Sequence, residues 1–141
     1  MKKEISEFRN KWYSHDKEIL TCKRKYSNVE ELANGLESSQ FAIDLEGFHY
    51  ECLFKEKKGN YLYVIYNGAR YKELPEFPRW GYHELFDGSM LCLEDPMYYK
   101  YPQMICGSFY GDETRSGIVI SLRIIKAAGL LLPAASLSWS C

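Results

Sequence analysis

The chain has 141 residues, of which 46% are hydrophobic and 26% charged, with a formal net charge of −1. That is enough apolar material for one packed domain. The near-neutral balance gives no electrostatic pull toward nucleic acid or an anionic membrane surface, so neither is expected as a partner.

Twelve Tyr lift the aromatic share to 16%, which suits strands as well as a partner-binding surface. The five cysteines, Cys22, Cys52, Cys92, Cys106 and Cys141, are odd in number and show no C-x-x-C spacing. The opening Met1-Lys2-Lys3-Glu4 is too charged for a secretory leader. Free thiols in a reducing cytoplasm are expected. The cysteines and His15, His49 and His83 are scattered singly, so no metal and no cofactor is expected. No apolar run approaches the ~18 residues of a membrane span.

In chain order, Ile5, Phe8 and Trp12 recur at helical spacing. Ser27-Asn28-Val29-Glu30 has the capping-box form, and Val29, Leu32, Ala33 and Leu36 predict a short helix. Residues 1–40 read as a helical, peripheral segment, and residues 41–141 as an incomplete α/β domain. Residues 41–55 alternate as extended structure, with Gly47 as a bulge or bend. The polar turn Lys57-Lys58-Gly59-Asn60 then predicts an antiparallel hairpin leading into Tyr61–Tyr66. The continuous apolar runs at Tyr61–Tyr66 and Ser89–Leu93 suit interior strands, and the long connection between them predicts parallel neighbours. Residues 117–128 read as a largely buried helix, with Ile118, Leu122 and Ile125 on one face. After Pro133, Ala135, Leu137, Trp139 and Cys141 alternate with serines as a strand does.

Several local stretches have a familiar wording: Phe77-Pro78-Arg79-Trp80, Phe86-Asp87-Gly88-Ser89, Asp95-Pro96 and Gly107-Ser108-Phe109-Tyr110-Gly111. Together with the element order, over residues 40–130, this resembles a group of bacterial α/β-hydrolase-like proteins, some of them associated with surface polysaccharide and glycosylation. The resemblance implies a partial three-layer α/β-hydrolase-like sheet: an N-terminal hairpin, then parallel strands with a crossover helix. It places Asn67, Gly68 and Ala69 at the turn that supplies an oxyanion-hole N–H. Arg70, Arg79, Trp80 and Tyr110 become candidate substrate contacts. A plain strand-ending turn, and a structural Arg beside a buried Trp, remain open for the same residues.

The nucleophile elbow, G-x-S-x-G, would follow the helix at 117–128. There the chain reads Ser138-Trp139-Ser140-Cys141, with Ser where the first Gly is needed. The resemblance therefore implies a truncated hydrolase-like protein, inactive alone. Its full-length relatives would carry out acyl transfer or ester hydrolysis on a small-molecule or glycan-linked substrate. Self-association through an open sheet edge is expected. The alternative is a small cytosolic binding or immunity-type module that uses its aromatic surface.

Overall fold

The computed structural model describes residues 23–66, 77, 80–101, 103, 109, 111, 115–129 and 136–140, with the backbone alone for Trp80, Tyr82 and 136–140. The chain is mixed α/β. Among the described residues its sheet has six strands: β1 (Lys23–Tyr26), β2 (Ser39–Leu45), β3 (Phe48–Lys55), β4 (Tyr61–Tyr66), β5 (Ser89–Leu93) and β6 (Ser136–Ser140). The helices are α1 (Val29–Gly35), α2 (Met97–Lys100) and α3 (Gly117–Gly129), with a 3-10 turn at Trp80–Glu84. The strand order is β1-β2-β3-β5-β4-β6.

β4 and β5 are parallel neighbours, as the two apolar runs predict, with Leu62 opposite Ser89 and Tyr66 opposite Leu93. β6 lies parallel on the other side of β4. The predicted hairpin across Lys57-Lys58-Gly59-Asn60 does not form, because β5 inserts between β3 and β4. The hairpin is instead β2–β3, closed by the pair Leu45 and Phe48. Its two turn residues, Glu46 and Gly47, have φ of 52° and 81°. Positive φ at both central positions gives the two-residue turn whose twist matches paired strands. What the sequence suggests as a bend within one strand is therefore the reversal between two.

Within the segment expected to be peripheral, β1 is an edge strand parallel to β2, and α1 buries Leu32 in the main core. The cap of α1 sits one residue later than the capping-box pattern indicates. Asn28 Oδ1 accepts the Glu31 N–H at 2.8 Å, and Glu31 Oε2 accepts the Ser27 N–H at 2.8 Å. The same reciprocal logic operates, with Asn as the cap.

Side chains alternate across the sheet. On one face Phe41, Cys52, Leu62, Val64, Leu91 and Leu93 meet Ile120, Ile124 and Ile125 of α3. On the other, Leu53, Ile65, Met90 and Cys92 pack with Phe77. The buried face of α3 differs from the predicted one. Ile120, Ser121, Ile124, Ile125 and Ala128 are buried, whereas Ile118, Val119 and Leu122 are exposed. Ser121 tips the helix this way because its hydroxyl has buried partners, so a polar residue can occupy the inward stripe.

Candidate functional site at the carboxyl edge of the sheet

β4, β5 and β6 are parallel, so their carboxyl ends share one edge, with Tyr66 opposite Leu93 and Ile65 opposite Ser140. β2 is antiparallel to β3, and β3 to β5, so the β2–β3 turn lies at that edge too. The chain leaves β4 toward β5 on one side, then passes by way of α3 to β6 on the other. A reversal of this kind opens a crevice outside the carboxyl ends of the strands, where α/β sheets place their ligands.

The residues after β5 form the floor of this edge. Glu94 and Asp95 are both fully buried. Asp95 Oδ1 accepts the Met97 N–H at 2.9 Å, and Oδ2 accepts the Phe109 N–H at 2.7 Å. Burial pushes the Asp95 carboxyl above its usual range, while the two backbone donors pull it back. Both oxygens are thus committed to holding the chain from β5 into α2 and on to Phe109. This is an anchoring role.

The buried hydroxyls tie the sheet to the start of α3. Tyr50 donates to the Gly117 carbonyl at 2.7 Å, and burial raises the Tyr50 phenol above its ordinary range. Tyr66 Oη and Ser121 Oγ lie 2.8 Å apart, and Ser121 donates to the Ile118 carbonyl at 2.6 Å. The Tyr66 ring meets Phe109 edge-on at 4.5 Å. With Ser121 donating to Ile118, Tyr66 is the donor to Ser121. Burial likewise pushes the Cys52 thiol well up, so this buried sulfur is no thiolate nucleophile.

Beside this floor, on the outer side of β2 and β3, lies a cluster of charged and polar groups. His49 Nδ1 is 2.7 Å from Asp44 Oδ1, and Nε2 is 2.9 Å from Glu51 Oε1. The Tyr99 ring meets His49 edge-on at 4.9 Å, and the Tyr99 hydroxyl donates to Glu94. The sequence carries a signal for this cluster. His49 and Glu51 are two apart on one strand and share a face, and Asp44 falls opposite His49 once the turn is put at Glu46-Gly47.

The oxyanion-turn candidates Asn67, Gly68 and Ala69, and the contacts Arg70, Arg79 and Tyr110, lie outside the described residues. Asn67 directly follows Tyr66, the last residue of β4. Trp80 opens the 3-10 turn, and its side chain is also outside the described residues. That turn is fixed at the amino end of β5. Lys57 Nζ donates to the His83 and Phe86 carbonyls at 2.7 and 2.6 Å, and the Lys57 N–H donates to Ser89 Oγ at 3.0 Å. His83 is buried there, at the edge opposite Asp95.

Among the described residues no group of three His, Cys, Asp or Glu could hold a metal ion. No helix among them is long and apolar enough to cross a membrane. An open, largely apolar cleft of about 320 Å³ lies between α1 and α3, lined by Val29, Ala33 and Ala127 with Arg123 and Lys126. No protein-family model matches the chain, and neither does any curated protein or solved structure.

Proposed function

We propose that this chain forms the opening part of an α/β-hydrolase-like fold that acts in the cytosol and has no hydrolytic activity by itself. The observation that carries this reading is the sheet reversal, with β5 inserted beside β4 and the chain crossing to β6. It leaves the carboxyl end of β4, which Asn67 follows in the sequence, at the same edge as the carboxyl end of β6. In such a fold a nucleophile held after β6 would face backbone donors after β4. Gly68 or Ala69 would then supply one N–H group, and Arg70, Arg79, Trp80 and Tyr110 would contact a small-molecule or glycan-linked acyl substrate.

These residues contain no G-x-S-x-G. A serine without a positioned His and acid receives little proton-transfer assistance. Hydrolysis of an activated acyl ester by the purified chain is therefore expected to stay at the background rate. A rate clearly above background that disappears in Ser140→Ala would overturn the proposal. β6 has no further strand beyond it among the described residues. We expect that edge to favour self-association, visible as concentration-dependent light scattering.

A second reading, a binding module with an aromatic surface, draws on the far edge. Tyr63 stacks on Phe86 at 4.2 Å, and its neighbour Tyr61 is exposed. Aromatic faces held in this way bind flat or apolar partners. The double substitution Tyr61→Ser and Phe86→Ser separates the two readings. It should abolish partner capture in the second and leave a carboxyl-edge site untouched in the first.

A further inference from the structure

We propose that His49 is a proton-operated clasp that ties the β2–β3 hairpin to α2, closed when the ring carries two protons and loosened when it loses one. The argument starts from donor counting. Asp44 and His49 face each other across the hairpin, and Glu51 lies two residues along β3 from His49. Each ring nitrogen sits within hydrogen-bond distance of a different carboxylate, Nδ1 at 2.7 Å and Nε2 at 2.9 Å. An ionised carboxylate only accepts, and a neutral imidazole has a single N–H. Both contacts are hydrogen bonds only when the ring is an imidazolium. After deprotonation one nitrogen lone pair points at a carboxylate oxygen, and that contact turns from attractive to repulsive.

The surroundings strengthen the dependence. From β1, Lys25 Nζ approaches Asp44 Oδ2 at 3.7 Å. From β5, the Glu94 N–H donates to the Glu51 carbonyl at 3.0 Å, which brings a buried carboxylate to the same place. From α2, the Tyr99 ring meets the His49 ring at a steep angle, and its hydroxyl donates to Glu94. Three carboxylates thus meet two cations, and the imidazolium is the one that touches two of them and the Tyr99 ring. Burial alone would lower the affinity of His49 for its proton. The hydrogen bonds and charges of Glu51 and Asp44 outweigh it, so the ring titrates above its usual 6.5.

The sign follows from linkage. A histidine whose proton is held more tightly in the folded state contributes stability that is fully present below its unfolded pKa. That contribution fades as pH rises through the raised folded value. The part of the fold that feels the loss is the turn of α2 that carries Tyr99, whose amides bond within 95–101: Tyr98 to Asp95, Tyr99 to Pro96 and Tyr101 to Met97.

The test uses the whole chain and two readouts. NMR titration of the His49 ring should give an apparent pKa above 6.5, falling in both Glu51→Gln and Asp44→Asn. Amide exchange, corrected for its intrinsic pH dependence, should show protection at Tyr98, Tyr99 and Tyr101 dropping about two- to fivefold above the titration midpoint, the range of a partly exposed ion pair. In His49→Gln that drop should vanish. If the His49 variant does not fold, the exposed Asp44→Asn variant carries the same comparison, with a reduced drop. A wild-type ring titrating at or below 6.5 would overturn the clasp. So would a drop in protection that is the same size in the variants as in the wild type.

Discussion

Replacing Asp95 by Ala is expected to lower the free energy of unfolding by about 2–5 kcal/mol, because it strands two buried N–H donors at about 1–3 kcal/mol each. The side chain has no exposed surface, so water cannot take over its acceptor role. One oxygen holds Met97 and the other holds Phe109, fourteen residues away in the chain. Truncation therefore frees a connection as well as a cap. Burial of the carboxyl works against it, and its removal returns part of that cost, which keeps the expected loss below the full sum. Asp95→Asn should recover less than half of the difference, since its amide NH2 would face one of the two N–H groups. Urea unfolding followed by circular dichroism measures this. A loss under about 1 kcal/mol would mean that other groups satisfy these donors.

The second large effect is expected at Gly111, where Ala should cost roughly 2–5 kcal/mol, from about 1–2 for the left-handed backbone and 1–3 for crowding. Gly111 has φ of 86°. A Cβ there would fall 2.0 Å from the Arg115 carbonyl oxygen and 2.6 Å from the Gly117 nitrogen. Those are backbone atoms, which cannot swing aside as a side-chain tip can. They belong to the start of α3, where Ile118 N–H bonds to the Phe109 carbonyl at 2.9 Å and Ile120 N–H to that of Ser116 at 3.1 Å. Thermal melting should show the loss as a clearly lower Tm. A melting curve that superimposes on the wild type would place the tight approach elsewhere.

Where hydrophobic period and connection length both speak, the fold is legible in the sequence. The runs Tyr61–Tyr66 and Ser89–Leu93 are continuous because both faces of β4 and β5 are covered, and their long connection favours parallel pairing. The reversal at Glu46-Gly47 is harder to read. Glu is a poor marker for a positive φ, and the one signal is a change of phase, from apolar residues at 41, 43 and 45 to apolar residues at 48, 50, 52 and 54. That one position decides the rest of the sheet's edge, including which residues face His49. The inward stripe of α3 is obscured for a different reason. Ser121 looks like a solvent residue until Tyr66, distant in sequence, is brought within 2.8 Å of it. Asp95 is legible as a turn-forming acid before Pro96, but its second partner, Phe109, depends on tertiary placement. The Asn67-Gly68-Ala69-Arg70 turn is suggested by resemblance, since a polar Gly-bearing turn after a strand has many uses.

The insertion of β5 between β3 and β4 also bears on how the chain reaches this state. β3 runs antiparallel to β5 and β4 parallel to it, so β3 and β4 have opposite directions and are joined by only a short polar segment. During synthesis they meet with the right polarity for a hairpin well before β5 exists, and short loops close far faster than long ones. The hairpin that the local pattern favours is therefore a kinetic competitor of the native sheet. Its hydrogen bonds must be broken before Met90–Leu93 can enter. Strand exchange at the centre of the sheet is therefore the expected slow step, read as a refolding phase that speeds up when β3–β4 pairing is weakened.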